Sequence, residues 1–210
     1  MILVFTGIGI YLAYFSSWLL IKNVTVTGIE RLLQDEVRSV AQIKIQSPMF
    51  DLNSEEIIAR IRQIDTVLNV EVRKGWPDSV VIAIEERVPI ALTDLADGRY
   101  LVDETGKAFR RAGPADVHLF VFAPNETARG LAARVSREMP DWLVGDINRI
   151  ESFDAKRATV ILNSGRKIVW GDEFKSQDKT AVLLVLLRTN EGDIDISTVE
   201  VPVLKVPVAD

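Results

Sequence analysis

The chain has no cysteine in its 210 residues. This excludes disulfides, thiolate metal ligands and a thiol nucleophile. It also leaves the compartment open, because cytosolic and extracytoplasmic proteins can both do without cysteine. Histidine is nearly absent too: His118 is the single one, in a stretch that reads as a loop. A Ser-His-Asp triad or a two-histidine metal site would have to be built around that residue alone. Neither a P-loop nor a G-x-G-x-x-G turn is present. Repeats and low-complexity segments are missing as well. Basic charge is in deficit, with a net charge of −5 and an isoelectric point near 5.1, which argues against nucleic acid as the main partner. Carboxylate neighbours such as Asp193/Asp195 and Glu85/Glu86 are plentiful, but nothing marks two of them as facing one cleft, as glycoside hydrolysis requires. The chain therefore reads as a non-enzyme without cofactor or metal.

Charge is also missing from one place in particular. Residues 1–21 carry none, and all 25 basic and 30 acidic residues follow them. At about 1.5 Å per residue, a helix of this length spans roughly 30 Å, the thickness of a bilayer's hydrocarbon core. Tyr11, Tyr14 and Trp18 suit a headgroup layer. A cleaved signal peptide would need a basic start, a shorter apolar run and small residues at the cut, and Ser16-Ser17-Trp18-Leu19 is a poor cleavage site. The run is expected to be a single transmembrane helix.

The polar remainder reads as two domains. In residues 23–93 the expected order is strand, helix, helix, strand, strand. Val24-Thr25-Val26-Thr27 alternates as a half-buried strand, and Gly28 punctuates it. Asn53 is placed to cap a second helix carrying Ile57, Ile58, Ile61 and Ile64 on one face, with Glu56 as reciprocal partner. Leu68, Val70 and Val72 alternate with polar residues, Trp76-Pro77-Asp78 turns, and Val80, Ile82 and Ile84 alternate again. Two helices on one face of a three-stranded sheet fit these lengths. Residues 97–210 begin with a hairpin around Asp103-Glu104-Thr105-Gly106. A short apolar strand, a helix from Thr127 to Met139, a meander from Ile147 to Trp170 and an apolar helix from Glu173 to Arg188 follow. Val182, Leu183, Leu186 and Leu187 are its expected core face. From Ile194 onward the chain is extended, and Pro202 and Pro207 make it an edge strand or carry it off the sheet.

The order of these parts resembles the bacterial cell division family FtsQ, called DivIB in some bacteria. The residues that carry the resemblance are Val24-Thr25-Val26-Thr27-Gly28, Arg73-Lys74-Gly75-Trp76-Pro77-Asp78-Ser79-Val80 and Glu86-Arg87-Val88-Pro89-Ile90-Ala91. Leu101-Val102-Asp103-Glu104-Thr105-Gly106-Lys107-Ala108-Phe109, and Trp170-Gly171 ahead of the helix with Lys179, add to it. The resemblance implies an α+β chain: one transmembrane helix (1–21), a POTRA domain (23–93), and a mixed domain on an antiparallel-rich sheet, the β domain (97–210). It also implies a cytoplasmic N-terminal segment, of which this sequence has almost nothing. The natural start is therefore expected further upstream. A single-pass type II protein of the cytoplasmic membrane, with extracytoplasmic domains at the division septum, is the implied setting.

The implied partners are FtsB and, paired with it, FtsL, held by strand addition near the C-terminus. The matching residues are Ile194, Asp195, Ile196, Ser197, Thr198, Val199 and Glu200. Aromatics common there in the family are missing here, but main-chain bonds do not depend on side chains. An Ile196→Pro or Val199→Pro change is expected to abolish pairing and leave the monomer folded. A second, POTRA edge is placed in residues 67–73, with Val70, Val72, Arg73 and Trp76 as candidates. Two other classes compete: a POTRA-bearing secretion or assembly component, disfavoured by a single unit and a helical anchor, and an anchored wall hydrolase, which would need clustered carboxylates.

Overall fold

The computed structural model describes residues 17–189, 192–198 and 203–204. Most of the expected membrane helix, residues 1–16, lies outside them. Among the described residues no helix is long and apolar enough to cross a membrane. The end of the apolar run differs from expectation. Ser17–Leu19 forms a 3-10 turn, Leu20 bridges to Pro48, and Ile21 is wholly buried in the core of the following domain. Its N–H donates to Ser47 O at 2.9 Å and its carbonyl accepts from Gln46 N at 2.8 Å. Both backbone groups are thus satisfied by the first unit, so Leu20 and Ile21 belong to that unit and not to a membrane helix.

The chain forms two compact units, Met1–Arg87 and Val88–Asp210. In the first, β1 (Asn23–Thr27), β2 (Val67–Gly75) and β3 (Ser79–Glu86) make a three-stranded sheet in the order β1-β3-β2. Strand β1 runs parallel to β3, with Asn23 opposite Ser79 and Thr27 opposite Ala83, while β2 is antiparallel to it. Helices α1 (Gln34–Ala41) and α2 (Ser54–Ile61) complete the unit. The period-2 pattern of β3 buries Val80, Ile82 and Ile84. Val37 and Ala41 of α1, Ile57 and Ile61 of α2, and Val70 and Val72 of β2 share that core. Asn53 caps α2, its Oδ1 accepting from Glu56 N at 3.2 Å. The expected alternation of β2 fails at its start: Val67 is buried and Leu68 exposed. A bulge between Val67 and Asn69 adds one residue, which turns Leu68 outward.

Glu86 holds this unit together in a way its sequence context conceals. Its carboxylate accepts the backbone N–H groups of Glu30 (2.9 Å), Arg31 (3.1 Å) and Leu32 (2.9 Å), fixing the segment that leads into α1. Partial burial works against its ionisation, but the N–H groups of Leu32, Glu30 and Arg31 outweigh that and hold the carboxyl below its ordinary range.

The second unit begins before β4 (Ala91–Leu95), which pairs with β5 (Gly98–Val102), itself paired with β6 (Ala108–Arg111). Thr93, read from sequence as the close of the first domain, lies opposite Tyr100 inside this new sheet. The second sheet has six strands in the order β12-β11-β10-β9-β8-β7. These are β7 (Val121–Phe122), β8 (Ile147–Ser152), β9 (Ala158–Leu162), β10 (Lys167–Gly171), β11 (Ile194–Asp195) and β12 (Val203–Leu204). The central pairs and β11–β12 are antiparallel, whereas β7–β8 and β10–β11 are parallel. Helices α3 (Glu126–Arg137), α4 (Asp141–Val144) and α5 (Ser176–Thr189) accompany them. Leu131 and Val135 of α3, Leu183 of α5, and Ile150, Val160, Ile168 and Trp170 of the sheet form one core. Val182, Leu186 and Leu187 pack against it half-buried, on the face expected of α5.

The turn after β5 is held by Asp103, whose Oδ1 accepts from Thr105 N (2.9 Å), Thr105 Oγ1 (2.7 Å) and Lys107 N (3.0 Å). Gly106, at φ +92°, lies against the start of α3 so closely that a Cβ there would sit 2.0 Å from Glu126 O. Arg129 of α3 donates from Nε to Gly106 O at 2.6 Å and locks the two elements.

Candidate partner-binding edges

Sheets offer partners their rims, where N–H and C=O groups have no neighbouring strand. Among the described residues β12 forms one rim of the six-stranded sheet, while at the other end β7 is flanked by β4, where Leu92 bridges to Phe120 and Thr93 Oγ1 donates to Val121 O at 3.0 Å. Ile194 and Asp195 therefore lie one strand in from the rim: Ile194 pairs with Ile168 on one side and Leu204 on the other, and Asp195 with Val169 and Val203. Ile194 and Ile196 are buried, so both serve the core. The Ile196 N–H donates to Val169 O at 3.0 Å. Ile196→Pro would thus break an internal bond, and the expectation that it spares the monomer does not hold. After Ile196 the chain turns: Asp195 Oδ1 accepts from Ser197 N at 3.0 Å and from Ser197 Oγ at 2.7 Å. Thr198 ends the described stretch, and Val199 and Glu200 lie outside the described residues.

Three contacts fix this end of the sheet. Asp193 Oδ1 accepts from Lys167 N at 2.9 Å, and Arg166 Nε donates to Gly192 O at 2.6 Å. Ser197 packs on Gly171, where a Cβ would fall 3.0 Å from the Ser197 Cβ. Behind Gly171, the buried Lys179 ammonium donates to Asp172 O (2.9 Å) and Asp172 Oδ1 (3.1 Å) and stands 5.9 Å from the centroid of the Trp170 ring. Trp170, Gly171 and Lys179 are therefore one structural group that positions the last strands. Sequence reasoning named all three without finding what joins them.

In the first unit, β2 forms one rim of its sheet. Val70 and Val72 point into the core, while Arg73 is exposed and paired with Glu71, Nε to Oε1 at 2.5 Å. Trp76 is exposed beyond the end of β2 and packs against Phe50 at a tilt of 53°, ring centroids 5.1 Å apart. Of the four residues named for this rim, two thus offer only backbone and two offer side chains.

A family model described as the C-terminal region of cell division protein FtsQ/DivIB matches residues 91–201, more than half of the chain. The chain belongs to the FtsQ/DivIB family. A second model, the FtsQ-type POTRA domain, matches residues 19–87. Together they bracket the division between the two units at Arg87 and Val88. Among relatives, the cell division protein FtsQ of Mycolicibacterium smegmatis is 29% identical over 199 residues, covering 92% of this chain and 60% of that protein. FtsQ of Streptomyces griseus is 28% identical over 204 residues, covering 89% of this chain and 97% of that protein. The chain spans about three fifths of the length of the mycobacterial relatives that it matches first. A solved structure of the major extracytoplasmic domain of DivIB from Geobacillus stearothermophilus aligns with 51% of this chain and 99% of that one. Its TM-score is 0.34 at 18% identity, too slight a likeness to support a comparison of folds.

Proposed function

We propose that this FtsQ-family chain is a membrane-anchored scaffold of the division machinery, which works by positioning partners and not by catalysis. The apolar run that ends at the Ser17–Leu19 turn anchors it in the cytoplasmic membrane, and both folded units stand on the extracytoplasmic side at the septum. It holds FtsB, with FtsL, by strand addition at the C-terminal end of the six-stranded sheet, and so links septal wall synthesis to constriction. The observation that carries this reading is the β12 rim of a six-stranded sheet in an FtsQ-family domain. Its second rung, β11, is pinned by Asp193, Ile196 and Ser197, so an added strand meets a preformed template. Residues 194–200 then act in two ways. Ile194, Asp195 and Ile196 support the template, while Ser197, Thr198, Val199 and Glu200 are the proposed contact residues. The β2 rim at Val70, Val72 and Arg73 is a second docking place for another septal protein.

Hydrogen exchange of the full chain, with and without the extracytoplasmic segments of FtsB and FtsL, tests this. Slower exchange confined to residues 192–204 on binding is the expected result. Binding that leaves those amides unchanged and protects residues 67–75 instead would move the site to the POTRA rim. No binding of either segment would end the scaffold reading.

A further inference from the structure

The point where the chain enters the first unit is ringed by aromatic side chains that the fold leaves uncovered. Trp18 is 75% exposed, Trp76 52% and Phe50 51%. They come from three separate segments, and the backbone brings those segments together. Leu20 bridges to Pro48, two residues before Phe50. The N–H groups of Lys22 and Asn23 both donate to Asp78 O, at 2.8 and 3.2 Å, two residues after Trp76. Lys22 Nζ also reaches Asp78 Oδ2 at 3.1 Å, and the Phe50 ring packs against Trp76. A soluble domain gains nothing from three exposed aromatics at one end, because exposed apolar clusters mark interaction surfaces.

What covers them is indicated by where they stand. The uncharged residues 1–16 end immediately before the Ser17–Leu19 turn, so on the anchor reading this end of the unit faces the bilayer. Indole and phenyl groups prefer the headgroup layer, where an apolar ring is buried and an N–H stays wet. Lys44 and Lys74, on two of these segments, suit phosphate headgroups, while Lys22 is paired with Asp78. We infer that Trp18, Phe50 and Trp76 form an interfacial foot that seats the first unit on the membrane surface. The foot fixes the tilt of the unit relative to its anchor and so aims the rim of β2. This inference rests on the membrane anchoring proposed above.

The full chain in phosphatidylethanolamine–phosphatidylglycerol vesicles, with and without lipids brominated high on the acyl chain, tests it. A Trp18→Phe, Trp142→Phe variant leaves Trp76 and the buried Trp170, and adding Trp76→Phe supplies the Trp170 baseline. Brominated lipid is expected to remove most of the Trp76 emission while the Trp170 baseline stays put. Unquenched Trp76 in a chain that resists carbonate extraction overturns the foot and leaves the anchor standing. Release of the chain by carbonate overturns the anchor, and the foot with it. Trp76 that is unquenched by lipid and blue-shifts only when FtsB and FtsL are added assigns the patch to a protein partner, which also overturns the inference.

Discussion

Replacing Gly106 by alanine measures how tightly the hairpin of the second unit is keyed to α3. The change adds one methyl group. At φ +92° it puts a side chain into left-handed backbone, at a cost of about 1–2 kcal/mol. The new Cβ would lie 2.0 Å from Glu126 O, 2.5 Å from Gly130 N and 2.9 Å from Gly130 Cα. All three are backbone atoms, so no side chain can swing away. The hairpin must lift from the helix, which adds about 1–3 kcal/mol of overpacking. The sum is about 2–5 kcal/mol, a large share of the roughly 5–15 kcal/mol that holds a domain together. Gly165 is the control, because its φ is +86° but no atom lies within 4 Å of an added Cβ. Gly165→Ala should lose only the backbone part, about 1–2 kcal/mol. Urea titration followed by hydrogen exchange reads the two units separately. The reasoning is refuted if Gly106→Ala is no less stable than Gly165→Ala, or if peptides of the first unit lose as much protection as those of the second.

Three other perturbations test the remaining supports. Glu86→Gln should destabilise the first unit by about 0.5–1 kcal/mol near neutral pH, a modest figure because the carboxylate is partly solvated. Its folded-state acidity is raised, so its contribution is full above the ordinary glutamate value of about 4.3 and fades as the pH falls through the lower folded value. Urea midpoints of wild type and Glu86→Gln should therefore converge on acidification. Lys179→Ala should cost the second unit about 2–4 kcal/mol, since it leaves a cavity beside Trp170 and an unpaired Asp172 carbonyl; thermal unfolding reads this. Ile82→Ala, at the wholly buried centre of β3, should cost the first unit about 2–5 kcal/mol by chemical denaturation while leaving FtsB binding to the folded chain unchanged.

Local rules made much of the fold legible. The alternation of β3, the Asn53 cap and the Asp103 turn each depend on residues a few positions apart, and each is found where the pattern put it. Distance along the chain hid the rest. Glu86 serves a segment 54 to 56 residues upstream, and nothing in Glu85-Glu86-Arg87 announces that. Ile21 continues the apolar run in composition but belongs to a different core, which only its pairing with Gln46 and Ser47 reveals. At the C-terminal sheet, two-residue strands are too short for any periodicity. The parallel pairing of β11 with β10 across α5 could not be read from them. An extended tail thus looked like one edge strand, whereas the fold makes two strands of it.

The parallel pairing of β1 with β3 also decides how the first unit bears mechanical load. Strand β1 leads in from the N-terminal side, and β3 leads out toward Arg87. A pull applied at Asn23 and Glu86 draws the two strands lengthwise in opposite directions. The rungs from Asn23–Ser79 to Thr27–Ala83 are then strained together instead of opening one after another. Such a clamp resists extension far better than a hairpin pulled open at its mouth, so tension along the chain would reach the second unit before the first gives way.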